Sequence, residues 1–210
     1  MRARISWLIL AAVFMHGEIL DRIAVTVGKQ VITEGDILRD LRVSALLDQK
    51  PVDLSGDAKR KAADRLVDQI LMLQEAGFSH IPLPPTEESA NMLAAVMLQY
   101  GSDYQAALAR YGVTEADVAD HLLEGFRAMR FTDLRFRPEV EISGDDLRDF
   151  YNTLAEGWRK KGETKIPTFE ASRDDAEKLL TAQRITQALD LWLSAQRTHT
   201  QILYRDQVFK

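Results

Sequence analysis

The stretch Asp21–Leu38, DRIAVTVGKQVITEGDIL, decides the fold. Ile23, Val25 and Val27 alternate with Ala24 and Thr26, the period-2 pattern of a half-buried strand. Gly28-Lys29 supplies a turn and Gln30-Val31-Ile32 begins a return strand, which predicts a small hairpin. Thr33 then stands where an N-cap belongs, with Asp36 three residues on, a carboxylate variant of the capping box. Strand, tight turn, strand and capped helix therefore follow one another within a few turns of chain.

On the N-terminal side, Met1–Gly17 reads as an export leader. Arg2 and Arg4 form its positive region, and Ile5–Met15 (ISWLILAAVFM) is an apolar run of 11 residues. That length suits a signal sequence and falls short of the roughly 20 residues that span a bilayer. Gly17 offers a small residue for cleavage, but Met15 is not the small residue wanted two places before it, so a retained signal anchor is the alternative. Either way a periplasmic location is expected for the remainder, and no further membrane span.

Composition narrows the function classes. Hydrophobic content of 46% and charged content of 28% belong to an ordinary globular protein. Cysteine is absent, which excludes thiolate zinc sites and redox pairs. The net charge is −5, from 27 basic and 32 acidic residues, two of the basic ones being Arg2 and Arg4 of the leader. An acidic surface argues against a nucleic-acid partner, which requires a basic face.

On the C-terminal side the pattern is mostly amphipathic helix. Helices are predicted over Thr33–Leu47 and Asp57–Ala76, the second with Leu66, Ile70 and Leu73 on one stripe and Val67 and Leu71 widening it. Pro82, Pro84 and Pro85 make a stiff connection. Thr86 is expected to cap a third helix reaching Tyr100, followed by Tyr104–Tyr111 and Glu115–Phe136. Beyond Arg137-Pro138, a helix from Asp145 carries Leu147, Phe150, Tyr151, Leu154 and Trp158 on one stripe. A linker is expected over about 159–172, then a last helix over Ser172–Arg197 and a strand-like tail, Gln201–Tyr204. A lone terminal strand needs a partner, and the hairpin offers it. The expected fold is thus mostly α, with a small β-sheet formed by the N-terminal hairpin and the C-terminal strand, all in one domain over 18–210.

Four segments resemble the SurA-type periplasmic chaperones. They are the hairpin with its capped helix, DRLVDQILMLQEA at Asp64–Ala76, GVTEADVADHLLE at Gly112–Glu124 leading to RFRPEVEISGDDLRDFYN, and ALDLWLSAQRTHTQILYR from Ala188. In that family parvulin-type prolyl isomerase domains are inserted between the Phe-Tyr helix and the closing helix. Here only Lys160–Ser172 separates them, too short to hold a domain of on the order of a hundred residues. The resemblance implies an ATP-independent chaperone that binds unfolded or extended polypeptide clients, outer-membrane or secreted proteins in transit, and lacks the isomerase. A prolyl isomerase and an assembly subunit docking on one fixed partner are the competing readings.

No Gly-rich phosphate loop, HExxH, GxSxG or Cys/His cluster occurs, so no catalytic residue, metal ligand or cofactor is expected. The acidic pairs Asp145-Asp146 and Asp174-Asp175 read as helix-start residues favoured by the macrodipole. Met92–Leu98 is apolar on every face. The favoured reading is a central helix buried all round; the alternative is an open groove for unfolded chains, to which flexible methionines are suited. On that alternative the candidate binding residues are Met92, Met97, Tyr100, Met129, Phe131 and Trp158.

Overall fold

Glycine at the first turn position sets the hairpin. Gly28 has φ +57° while Lys29 does not take positive φ, the arrangement of a type II′ turn, whose twist matches that of its flanking strands. A computed structural model describes residues 21–210; the leader read at 1–17 lies outside the described residues. Strands β1 (Ile23–Val27) and β2 (Gln30–Thr33) pair antiparallel across that turn, with Val25 opposite Ile32 and Val27 opposite Gln30. The tail forms β3 (Ile202–Tyr204) and pairs antiparallel with the other edge of β1, Val25 opposite Tyr204 and Val27 opposite Ile202. The sheet order is β2-β1-β3, so the two ends of the described chain meet as expected. Gly28 N–H donates to the Gln201 carbonyl at 2.9 Å and Arg205 N–H to the Ala24 carbonyl at 2.8 Å, which locks the register at both ends.

The described chain also holds seven α-helices, besides three short 3-10 turns: α1 (Glu34–Leu47), α2 (Gly56–Phe78), α3 (Glu88–Tyr100), α4 (Tyr104–Tyr111), α5 (Glu115–Phe136), α6 (Gly144–Lys160) and α7 (Phe169–His199). Three begin with full capping boxes: Thr33 with Asp36, Thr114 with Asp117, and Ser143 with Asp146. Each box satisfies otherwise orphaned backbone donors at the helix start and holds a carboxylate where the helix dipole favours it. Thr86 does not cap α3; Glu87 occupies that position without a side-chain bond, and the Thr86 carbonyl accepts from the Ser89 hydroxyl instead.

The last helix starts earlier than the sequence suggests. Thr168 caps it through Ala171 N–H, Tyr151 OH donates to the Pro167 carbonyl at 2.6 Å, and Phe169 packs edge-on against Tyr151. Those contacts pull residues 169–171 into α7 and shorten the connection to residues 161–168. Asp174-Asp175 consequently lies inside α7 rather than at its start, whereas Asp145-Asp146 does occupy the first turn of α6.

The sheet, α1 and α2 share one core of Val25, Val27, Ile32, Ile37, Ala63, Val67, Leu71 and Val208. A second core, around Val43, Leu46, Leu93, Val96, Tyr104 and Val118, joins α1, α3, α4 and α5. The third joins α2, α5 and α7 through Met72, Ala76, Phe131, Phe136 and Ile185, with Trp192 reaching both it and the first. The N-terminal half of α7 packs on α6 through Leu147, Ala176 and Leu180, a helical hairpin with a smaller core of its own. Arg197 fastens α7 to α2, donating from Nε to Asp68 at 2.8 Å and from Nη2 to the Asp64 carbonyl at 2.9 Å.

Candidate functional site

The residues proposed from sequence for client binding do not form one surface. Phe131 is fully buried, its ring 5.4 Å from Trp192 and 6.1 Å from Phe136, and is therefore a core residue rather than a binding one. Tyr100 is half-buried, and its hydroxyl donates to the Leu46 carbonyl at 2.6 Å, closing the C-terminal end of α1. Trp158 is half-buried edge-on against Tyr151 in the α6–α7 hairpin. Met129 is 60% exposed on α5. The expectation that the apolar helix is buried all round is corrected: α3 buries only Leu93 and Val96, leaves Met92 half-buried and exposes Met97, with Leu98 85% exposed. A helix lying on one flank of the body can bury only the side that meets α5 and α4.

A cleft of about 260 Å³ opens instead between β2, α1, α2 and α5. Its apolar part is built by Val31 and Ile32 of β2, Val43 of α1, and Leu66, Ile70 and Leu73 of α2. The three α2 residues form the stripe read from the sequence. It is half-buried and faces the cleft, because the small residues Ala62, Ala63 and Ala76, with Val67 and Leu71, turn the neighbouring face of α2 inward. The polar part comes from Asp36, Arg39 and Asp40 of α1 and from Asp117, Asp120, His121 and Glu124 of α5.

Most of these charges are held in place. Arg39 donates to Asp117 at 3.0 Å and to Asp36 at 3.2 Å, bridging the two capping boxes. Asp40 is buried, with Arg65 Nη2 at 2.5 Å and His121 Nδ1 at 3.4 Å. Burial disfavours its ionised form, but hydrogen bonds from His121 and Arg65 outweigh that and hold its pKa below the ordinary carboxylate value. Burial acts the same way on Asp117, and the Thr114 hydroxyl and N–H, with Arg39, again bring its pKa down. Glu124 accepts from Arg127 through Oε1, while its Oε2 is buried with no hydrogen-bond partner. Asp120 is exposed and forms no ion pair with the described residues.

Removing the Asp40 charge tests this brace. Asp40→Asn lowers stability at neutral pH by about 2 kcal/mol, the scale of a charge-assisted bond lost at a partly buried site. The folded pKa is depressed, so the contribution is present above the unfolded value of about 3.9 and fades as pH falls through the folded one. Urea titrations should therefore show the two proteins converging below about pH 4; a constant difference down to acid pH contradicts the assignment.

The cleft went unnoticed in the sequence because its residues are spread from Val31 to Glu124 over four elements. One local signal was present: Asp117, Asp120, His121 and Glu124 recur at i, i+3, i+4 and i+7, a polar stripe on one helix face. Among the described residues no group of three or more His, Asp or Glu side chains is placed to hold a metal ion. No helix among them is long and apolar enough to cross a membrane. Comparison with protein-family models and with curated proteins finds no match for this chain.

Proposed function

We propose that this chain is an ATP-independent holding chaperone that takes up extended apolar segments of exported proteins, outer-membrane or secreted clients in transit. The observation that carries the reading is the open cleft whose floor is Leu66, Ile70 and Leu73. Half-buried aliphatic side chains in a concave site gain by covering more apolar area, at roughly 25 cal/mol per Å². The four SurA-like segments in order, and the leader at Met1–Gly17, supply the periplasmic setting. An acidic exterior keeps a complex with an apolar client soluble. The sequence holds no nucleotide loop, so release rests on weak binding at several points.

The test is light scattering from an outer-membrane protein diluted out of urea. Near-equimolar chain should suppress the scattering; a well-folded sample that suppresses none removes the reading. A second reading, docking on one fixed partner, is favoured by α7, where Leu179 stands exposed in the half that packs on α6 and Leu191 in the other half. Saturable binding to a single folded protein, with indifference to unfolded chains, decides for it. A proline-peptide isomerisation assay addresses the remaining enzyme reading.

A further inference from the structure

Resting on the holding reading, we infer that the cleft selects its client: an extended segment alternating apolar and basic residues, added as a fourth strand on the free edge of β2. The sheet order leaves β2 paired on one side only. Val27 and Gln30 close the two-residue turn as a hydrogen-bonded pair, so the antiparallel alternation makes Thr26 and Val31 the next, non-bonded pair. The N–H and C=O of Val31 consequently point away from β1. An incoming backbone meets them as the peptide does in other strand-addition complexes, where main-chain bonds give affinity and alternate side chains give specificity.

Val31 is 49% exposed and lines the cleft together with Ile32, which places the edge beside the floor. About 260 Å³ is below the usual small-molecule range and holds a few side chains, not a folded surface. Alternate residues of the added strand therefore reach Leu66, Ile70 and Leu73.

The charge of the lining chooses between possible occupants. Five carboxylates (Asp36, Asp40, Asp117, Asp120 and Glu124) meet one lining arginine, Arg39, which already bridges two of them. Arg65 reaches Asp40 from the rim. Asp120, exposed and without an ion pair among the described residues, is left to face an incoming group, and a lysine or arginine suits it. Like charges brought to such a rim are rejected, which gives selectivity as well as attraction.

Fluorescence anisotropy with two labelled nonapeptides tests this on residues 18–210: one alternates valine and lysine, the other valine and glutamate. The lysine peptide should bind at least about tenfold tighter. Asp120→Lys combined with Glu124→Lys should weaken it by about tenfold, whereas Asp174→Lys, on the exposed side of α7, should change it less than about twofold. N-methylation of the lysine peptide along one backbone edge should weaken it at least about fivefold with the protein unaltered. Equal affinity for the two peptides, an equal effect of Asp174→Lys, or indifference to N-methylation overturns the inference. A failure here with scattering still suppressed leaves the holding reading standing, and loss of suppression itself removes that reading separately.

Discussion

A chain ending at Thr200 is expected to lose most of its cooperative folding. In this three-stranded sheet β1 sits centrally only because β3 covers one of its edges. Deletion of 201–210 strips Ile202 and Tyr204 from the first core and removes the buried Val208 with its neighbour Phe209. Full burial of such side chains is worth about 1.5–3 kcal/mol each, and partial burial about half of that. Tyr204 also donates to Asp64 and lies under the Arg60 guanidinium at 3.5 Å, while Lys59 donates to the Val208 carbonyl at 3.3 Å. Loss of Tyr204 takes one hydrogen-bond partner from each of Asp64 and Arg197 and the ring beneath Arg60. Together these terms come to about 5 kcal/mol or more, comparable to the whole stability of a typical domain. Urea denaturation followed by circular dichroism should show the midpoint collapse and the transition broaden. A truncated chain with an unchanged midpoint means that the terminal strand is an ornament and the domain closes elsewhere.

That the tail mattered was legible in the sequence, and the reason is physical. A three-residue strand cannot persist alone, and the hairpin was the one partner on offer. The first capping box was legible too, because Thr33 and Asp36 act within a single turn of chain, whereas the boxes of Thr114 with Asp117 and Ser143 with Asp146 were found only in the structure. The facing of wide apolar stripes was not. On α2 the sets 66/70/73 and 67/71 are adjacent and equally apolar, and the choice falls to Ala62 and Ala63, which let α1 and the sheet approach closely on one side. On α3 an apolar residue at nearly every position erases the periodicity, so nothing local tells Leu93 from Leu98. The cleft is the extreme case. Ile70 becomes a floor only once α5 brings Asp120 and Glu124 opposite it, and that is a tertiary fact.

Phe131→Ala is expected to cost about 3–5 kcal/mol, the range for removing a fully buried aromatic side chain from a core that relaxes only in part. Phe131 is the largest side chain shielded completely from solvent among the described residues, and it stands where α2, α5 and α7 converge. Its ring meets Phe136 edge-on and tilts against Trp192, and Phe136 in turn meets Trp192 at 6.2 Å, so three aromatics fix one another. Each such pair adds about 0.5–1.5 kcal/mol beyond area burial, which places the variant toward the upper part of the range. Met129, two residues away and 60% exposed, provides the contrast: Met129→Ala should stay within about 0.5 kcal/mol of the parent. The pair also separates core from binding surface. If Phe131 served clients directly, Phe131→Leu, which keeps an apolar side chain in the cavity, would lose scattering suppression in proportion to the lost ring while staying folded. A core role instead predicts that suppression by Phe131→Leu follows only the folded fraction. A Phe131→Ala protein as stable as the parent would mean that α5 and α7 do not meet through these three rings.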